Sequence, residues 1–104
     1  MIRYGVYISE PAEADILDVF KYIASQLNSP VSALNMVDAI EEALNSLEEM
    51  PYRYPPVSDE RLAAMGYRKL TLKNYIIFFT VDEESKVVDI ERILYARRDW
   101  LSIL

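Results

Sequence analysis

With 104 residues, 52% of them apolar, the chain has material for one hydrophobic core and no second, so a single domain over residues 1–104 is expected. The absence of cysteine and histidine excludes a disulfide framework, a thiol nucleophile, a Ser-His-Asp arrangement and a zinc site, and no cofactor or metal is expected. Net charge is −6, which disfavours a polyanion binder, but residues 1–50 carry nine carboxylates against two cations and residues 51–104 eight against nine, so the acidity belongs to the amino-terminal half.

Met1 to Ser9 has the aromatic and β-branched content of a strand, with Ile2, Tyr4, Val6 and Ile8 on one face. Met1-Ile2-Arg3-Tyr4 does not open a signal peptide and no apolar run reaches membrane-spanning length, so a cytoplasmic protein with no membrane partner is expected. Ser9-Glu10-Pro11 then reads as a helix entry, a capping hydroxyl followed by a proline tolerated in the first turn, with Glu10, Glu13 and Asp15 at the positive end of the dipole.

The first helix is predicted from Pro11 to Gln26. Ala12, Ile16, Phe20, Ile23 and Leu27 form its apolar stripe, widened by Leu17, Val19 and Ala24, while Asp15 and Asp18 fall on the polar face. Asn28-Ser29-Pro30 stops it and starts a second helix to Glu49, striped by Ala33, Val37, Ile40, Leu44 and Leu47, with Met36, Ala43 and Met50 beside them. So short a link makes the pair an antiparallel hairpin. The proline-rich stretch Met50 to Ser58 carries the chain back towards the sheet or presents a rigid surface. Asp59 to Met65 suits one more helical turn, ended by Gly66 in a left-handed conformation.

The last third alternates like a meander of three strands. In Tyr67 to Lys73, Leu70 and Leu72 share one parity and Lys69, Thr71 and Lys73 the other; Asn74 supplies the turn. Tyr75 to Val81 is apolar on both parities and belongs in mid-sheet. Asp82 to Lys86 is a connection of hairpin length, and Val87 to Tyr95 resumes the strand pattern. The fold class is thus α+β: an N-terminal strand, a helix hairpin packed on one face, and a three-stranded antiparallel meander, β-α-α-β-β-β, with the other face partly open.

Arg92 shares a parity with Val88, Ile90 and Leu94. A guanidinium keeps its charge and must find an acceptor or water. Two readings stay open: a structural arginine paired with Glu91, Asp89 or Asp99, or an open-face cation for a phosphate or carboxylate.

Tyr67-Arg68-Lys69-Leu70, Asn74 to Asp82 and above all Arg92-Ile93-Leu94-Tyr95-Ala96-Arg97-Arg98-Asp99 resemble the closing half of the RelE/ParE family of bacterial toxins from type II toxin–antitoxin modules. The amino-terminal strand, two helices and Met50-Pro51 break extend the resemblance to nearly the whole chain. It implies a growth inhibitor of the plasmid-stabilisation type, neutralised by a cognate antitoxin that wraps it on folding and links it to DNA only indirectly.

Two targets follow from the resemblance. Its ribonuclease branch, the mRNA interferases, cleaves messenger RNA in the ribosome without metal, with cations stabilising the phosphorane and side chains moving protons. On that reading the catalytic candidates are Arg68, Arg92, Arg97 and Arg98 for the phosphate and Tyr95 for proton transfer or base stacking. Yet Ile76 stands where ribonuclease members carry an arginine after the strand's tyrosine, and the tail Leu101-Ser102-Ile103-Leu104 lacks that branch's tyrosine or histidine. The ParE branch inhibits DNA gyrase by protein contact and needs no catalytic set, so it is placed first; a scaffold without toxicity is the third reading. Whether the chain is an enzyme stays open. Tyr67, Tyr75, Tyr95, Arg97 and Trp100 have the composition of an interface core; alternatively, Trp100, Leu101, Ile103 and Leu104 close the chain's own core.

Overall fold

The structure, a computed structural model, describes residues 2–104; Met1, the start of the expected first strand, lies outside them. Strand β1 (Gly5–Ile8) leads into helix α1 (Glu10–Lys21), whose last turn widens into a π-helix over Tyr22–Gln26, and α2 (Pro30–Ser46) returns beside it. A short helix α3 (Glu60–Ala64) precedes strands β2 (Arg68–Leu72), β3 (Tyr75–Asp82) and β4 (Val87–Tyr95). The sheet order is β1-β4-β3-β2, antiparallel within the meander and parallel where β1 meets β4.

Local chemistry sets the boundaries. Ser9 Oγ accepts from the Ala12 N–H at 3.2 Å, so α1 starts where a hydroxyl was expected to cap it. Ser29 does the same for α2 through Ser32 N–H, after Asn28 has turned into the left-handed region. Asp59 caps α3 through Leu62 N–H at 2.9 Å, and Gly66 ends it at φ 92°. The β2–β3 turn departs from expectation: Lys73, not Asn74, takes the positive φ of 54°.

Helices α1 and α2 cover one sheet face. Ala12, Val19, Ile23, Ala33, Met36, Ile40 and Leu44 pack there against Leu70, Ile77, Phe79, Val88, Ile90 and Ile93. The stripes hold in part: Leu17 and Leu27 are exposed, Ile2 does not join the core, and Met50 is exposed in a left-handed conformation past the helix end. Asp15, expected on the polar face, is buried at 5% exposure.

The reverse face was expected partly open, and it is: Tyr7 is 60% exposed and Thr71 is exposed on it. Ile76, Phe78 and Leu94 form a second core there, closed by Val57, Leu62, Trp100, Ile103 and Leu104. Trp100 tilts over Phe78 with ring centroids 5.2 Å apart. The tail therefore closes a core, although Leu101 stays exposed.

The mixed pattern of β4 has a geometric cause. Ile90 pairs with Phe79 and Arg92 with Phe78, which leaves Glu91 as a bulge residue held by Thr80 Oγ1 at 3.0 Å. One extra residue exchanges the faces, so Val88 and Ile90 before it and Ile93 after it all meet the helices, while Leu94 meets the second core.

Candidate functional site

Beyond Ile8 the first strand no longer borders β4, and side chains at the start of α1 continue its work. Ser9 N–H donates to the Ile90 carbonyl at 3.1 Å and Ser9 Oγ to the Glu91 carbonyl at 3.0 Å. One turn further on, Asp15 accepts from Ile93 N–H at 2.9 Å. The same carboxylate takes Arg92 two-pronged, Nε at 2.7 Å and Nη2 at 2.8 Å. Arg92 is thus a structural clamp whose partner is none of Glu91, Asp89 or Asp99 but an acid 77 residues away. The hydrogen bond to Asp15 drives its pKa further upward, against the burial that opposes it.

The other predicted site residues separate into two places. Tyr95, half exposed, meets Tyr75 edge-on at 5.9 Å, where burial, then Tyr22 and Tyr95, push the Tyr75 hydroxyl up. Arg98 lies beside them along a hollow of about 410 Å³ that also touches Asp15, Asp18 and Tyr22. A second hollow of about 350 Å³ shares Tyr22, Tyr75 and Tyr95 and ends at Lys73. Arg97 is exposed in the same turn, and among the described residues neither it nor Arg98 has a carboxylate partner.

Arg68 is elsewhere. It pairs with Phe79, whereas Tyr95 pairs with Tyr75, so about 13 Å of strand lies between them at the usual rise. Its guanidinium donates to the Tyr54 carbonyl at 2.7 Å and stacks on the Tyr52 ring at 4.9 Å, pinning the proline-rich segment to β2. Of the five candidates, Tyr95, Arg97 and Arg98 share one end of the sheet, Arg92 is bound beneath them, and Arg68 stands apart.

Two features escaped the sequence reading. Asp15 falls in the buried row Ala12, Asp15, Val19 and Ile23, a spacing that announced an inward-facing acid. At the far end, Glu83 Oε2 accepts from both Tyr4 and Tyr52 hydroxyls at 2.8 Å while Lys86 binds Oε1. Lys86, then the two hydroxyls, hold Glu83 down to about 2, and Glu83 pushes Tyr52 up to about 12. No local pattern signals that meeting of three distant segments.

Tyr67, Tyr75, Tyr95, Arg97 and Trp100 do not form one patch. Trp100 and Tyr67 pack in the second core, and Tyr75 and Tyr95 line the hollows on the helix side. Ile76 is 8% exposed inside the second core.

A family model described as the ParE toxin of the type II toxin–antitoxin system parDE matches residues 6–100. No curated protein matches in sequence. Among solved structures, the chromosomal ParDE toxin–antitoxin system of Pseudomonas aeruginosa aligns with a TM-score of 0.75 and 23% identity over 93% of this chain and 100% of that one. The RelBE2 toxin–antitoxin complex of Mycobacterium tuberculosis gives 0.67 and 20% over 90% and 99%. A mutant of the Escherichia coli toxin RelE in the free state gives 0.60 and 15% over 97% and 92%.

Proposed function

This chain belongs to the ParE toxin family of type II toxin–antitoxin systems, and on that footing we propose that it is a growth inhibitor silenced by a cognate antitoxin and directed at DNA gyrase. The observation that carries the gyrase reading is Ile76. The position where the ribonuclease branch places an arginine is core here, packed beneath Trp100 and Leu94, and has no access to a substrate. Arg92, the next candidate for a phosphate, already spends its fork on Asp15.

What remains free suits protein contact. Arg97 and Arg98 project from a turn whose base is fixed by the Asp15 clamp on one side and by the Ala96 N–H bond to the Asn74 carbonyl, 2.8 Å, on the other. Arginines and tyrosines on a rigid base lose little entropy when a partner covers them, which is the character of interface anchors. The inhibitor works in the cytoplasm, where a gyrase–DNA complex is its partner and DNA is met only through proteins.

One observation favours the ribonuclease reading: Tyr95 and Arg98 line a single hollow, a proton-transfer group beside a phosphate-binding one. Expression of the chain in a bacterial host, with and without its antitoxin, separates the two. Growth arrest with intact messages and blocked supercoiling supports the gyrase reading. Codon-positioned message breaks, formed without metal, support the nuclease, and unaffected growth leaves a scaffold without toxicity.

A further inference from the structure

The hollow beside Tyr95 holds two opposite charges that the fold leaves apart. Asp18, one turn before Tyr22 on α1, and Arg98, in the turn after β4, both line it, and among the described residues neither belongs to an ion pair. Asp18 adds to the field that keeps Arg92 charged, but the Arg92 fork is already filled by Asp15. An unneutralised acid and an unneutralised base thus stand on the walls of one space of about 410 Å³, the size of a small-ligand site.

Three aromatic rings wall the same space. Tyr75 and Tyr95 stand edge-on at 74°, forming two sides of a corner, and Tyr22 supplies a third wall from α1. Their hydroxyls are free for a ligand, since the tyrosine hydroxyls that make hydrogen bonds among the described residues belong to Tyr4, Tyr52 and Tyr54. The helix is altered at the same place. At Tyr22 the α-helix gives way to a π-helix, an uncommon i→i+5 turn that recurs at functional sites, and Ser25 Oγ braces it by donating to the Lys21 carbonyl at 2.6 Å. A wider turn advances each residue less around the axis, so it resets the direction in which this stretch presents its side chains.

A simple anion would meet Arg98 but bring its charge beside Asp18, and a simple cation would meet Asp18 but be repelled by Arg98. A ligand with both charges on one small centre satisfies both groups, and the guanidinium fork matches a carboxylate in particular. We propose that this hollow binds a free aromatic α-amino acid as its zwitterion, the ammonium on Asp18, the carboxylate on Arg98 and the ring in the corner made by Tyr75 and Tyr95 against Tyr22. Rings set edge to face around a third ring favour an aromatic side chain over an aliphatic one. The inference goes beyond the toxin reading and does not depend on the chain's target.

The test titrates the full chain calorimetrically at about pH 6, where α-amino groups are protonated and aspartate is ionised. The probes are L-phenylalanine and three relatives that each lack one feature: phenylalaninamide without the carboxylate, N-acetylphenylalanine without the positive charge, and glycine without the ring. Phenylalanine is expected to bind with a Kd of about 1 mM or tighter, and each relative at least about tenfold more weakly. Asp18→Asn, Arg98→Gln and Tyr22→Ala are each expected to weaken phenylalanine by about tenfold or more. All three side chains are exposed, so urea midpoints near that of the wild type show that the fold is intact, and Asp18→Asn, which keeps the side-chain volume, decides the matter if Tyr22→Ala disturbs packing. Phenylalanine that fails to bind at about 10 mM, or that Asp18→Asn and Arg98→Gln bind as tightly as the wild type, overturns the proposal. So does an amide or an acetyl derivative that binds as well as the free amino acid; the acetyl result would assign the hollow to the end of a peptide chain.

Discussion

Replacement of Asp15 by alanine tests whether the clamp holds the sheet end together. The change removes three hydrogen bonds, two of them charge-assisted from Arg92 and one from Ile93 N–H at the point where β1 has stopped bordering β4. Leaving a buried N–H unsatisfied costs about 1–3 kcal/mol. Breaking a fully buried ion pair costs about 3–5 kcal/mol, but the Arg92 side chain keeps 25% exposure and can recover some hydration, so the pair's share is cut to about 1–2 kcal/mol. The expected loss is about 3 kcal/mol, against a total of about 5–15 for a domain of this size. Asp15→Asn keeps an acceptor for Ile93 and should cost roughly half as much. Urea unfolding followed by Trp100, the only tryptophan, reads both values, with the slope unchanged if the transition stays two-state. A double-mutant cycle of Asp15→Asn with Arg92→Met should then show a coupling of about 1 kcal/mol or more. An alanine variant that loses under about 1 kcal/mol, or a coupling near zero, would refute the assignment of Arg92 to structure.

Arg97→Ala and Arg98→Ala, both exposed and without a salt-bridge partner among the described residues, should change stability by no more than about 0.5 kcal/mol while relieving growth inhibition; a variant that arrests growth as the wild type does would remove them from the working surface. Trp100→Ala should cost about 2–3 kcal/mol through lost contact with Phe78, measured by circular dichroism in urea, and a cost near zero would mean that the tail does not close the second core. The Glu83 cluster makes stability fall at both extremes of pH. The Glu83 pKa is about 2 in the fold against the ordinary 4.5, so its contribution is present above 4.5 and is lost as pH drops towards 2. The Tyr52 hydroxyl titrates at about 12 against 10, so its contribution is complete below 10 and is lost as pH rises towards 12. Denaturation midpoints of Glu83→Gln should lose part of the acid-side dependence and those of Tyr52→Phe part of the alkaline side, and unchanged profiles in both would disprove the linkage.

Elements governed by near neighbours were legible in the sequence. Ser9, Ser29, Asp59 and Gly66 act within three residues of themselves, and each marks the boundary it was expected to mark. Periodicity gave the helix stripes and the meander because side-chain direction follows from backbone repeat. What stayed hidden depends on segments far apart. The bulge at Glu91 is invisible locally, so the mixed pattern of β4 did not reveal the second core or the change of register between the two. Of the candidate site, Tyr95, Arg97 and Arg98 were placed together by adjacency in the chain. For Arg92 the sequence left open a nearby acid or an open-face ligand and could not show its partner, which comes from another element, and Arg68 was grouped with the others because charge alone carries no position.

The parallel pairing of β1 with β4 makes sheet closure a late event in folding. Ser9 bonds to Glu91 across 82 residues of chain, and Gly5 finds its neighbour only at Val87. The helix hairpin can assemble early from local contacts, whereas β4, the strand that joins both layers, must find β1 across more than 80 residues of chain. Arg97 and Arg98 accordingly acquire a rigid base only once β4 has closed against the first strand.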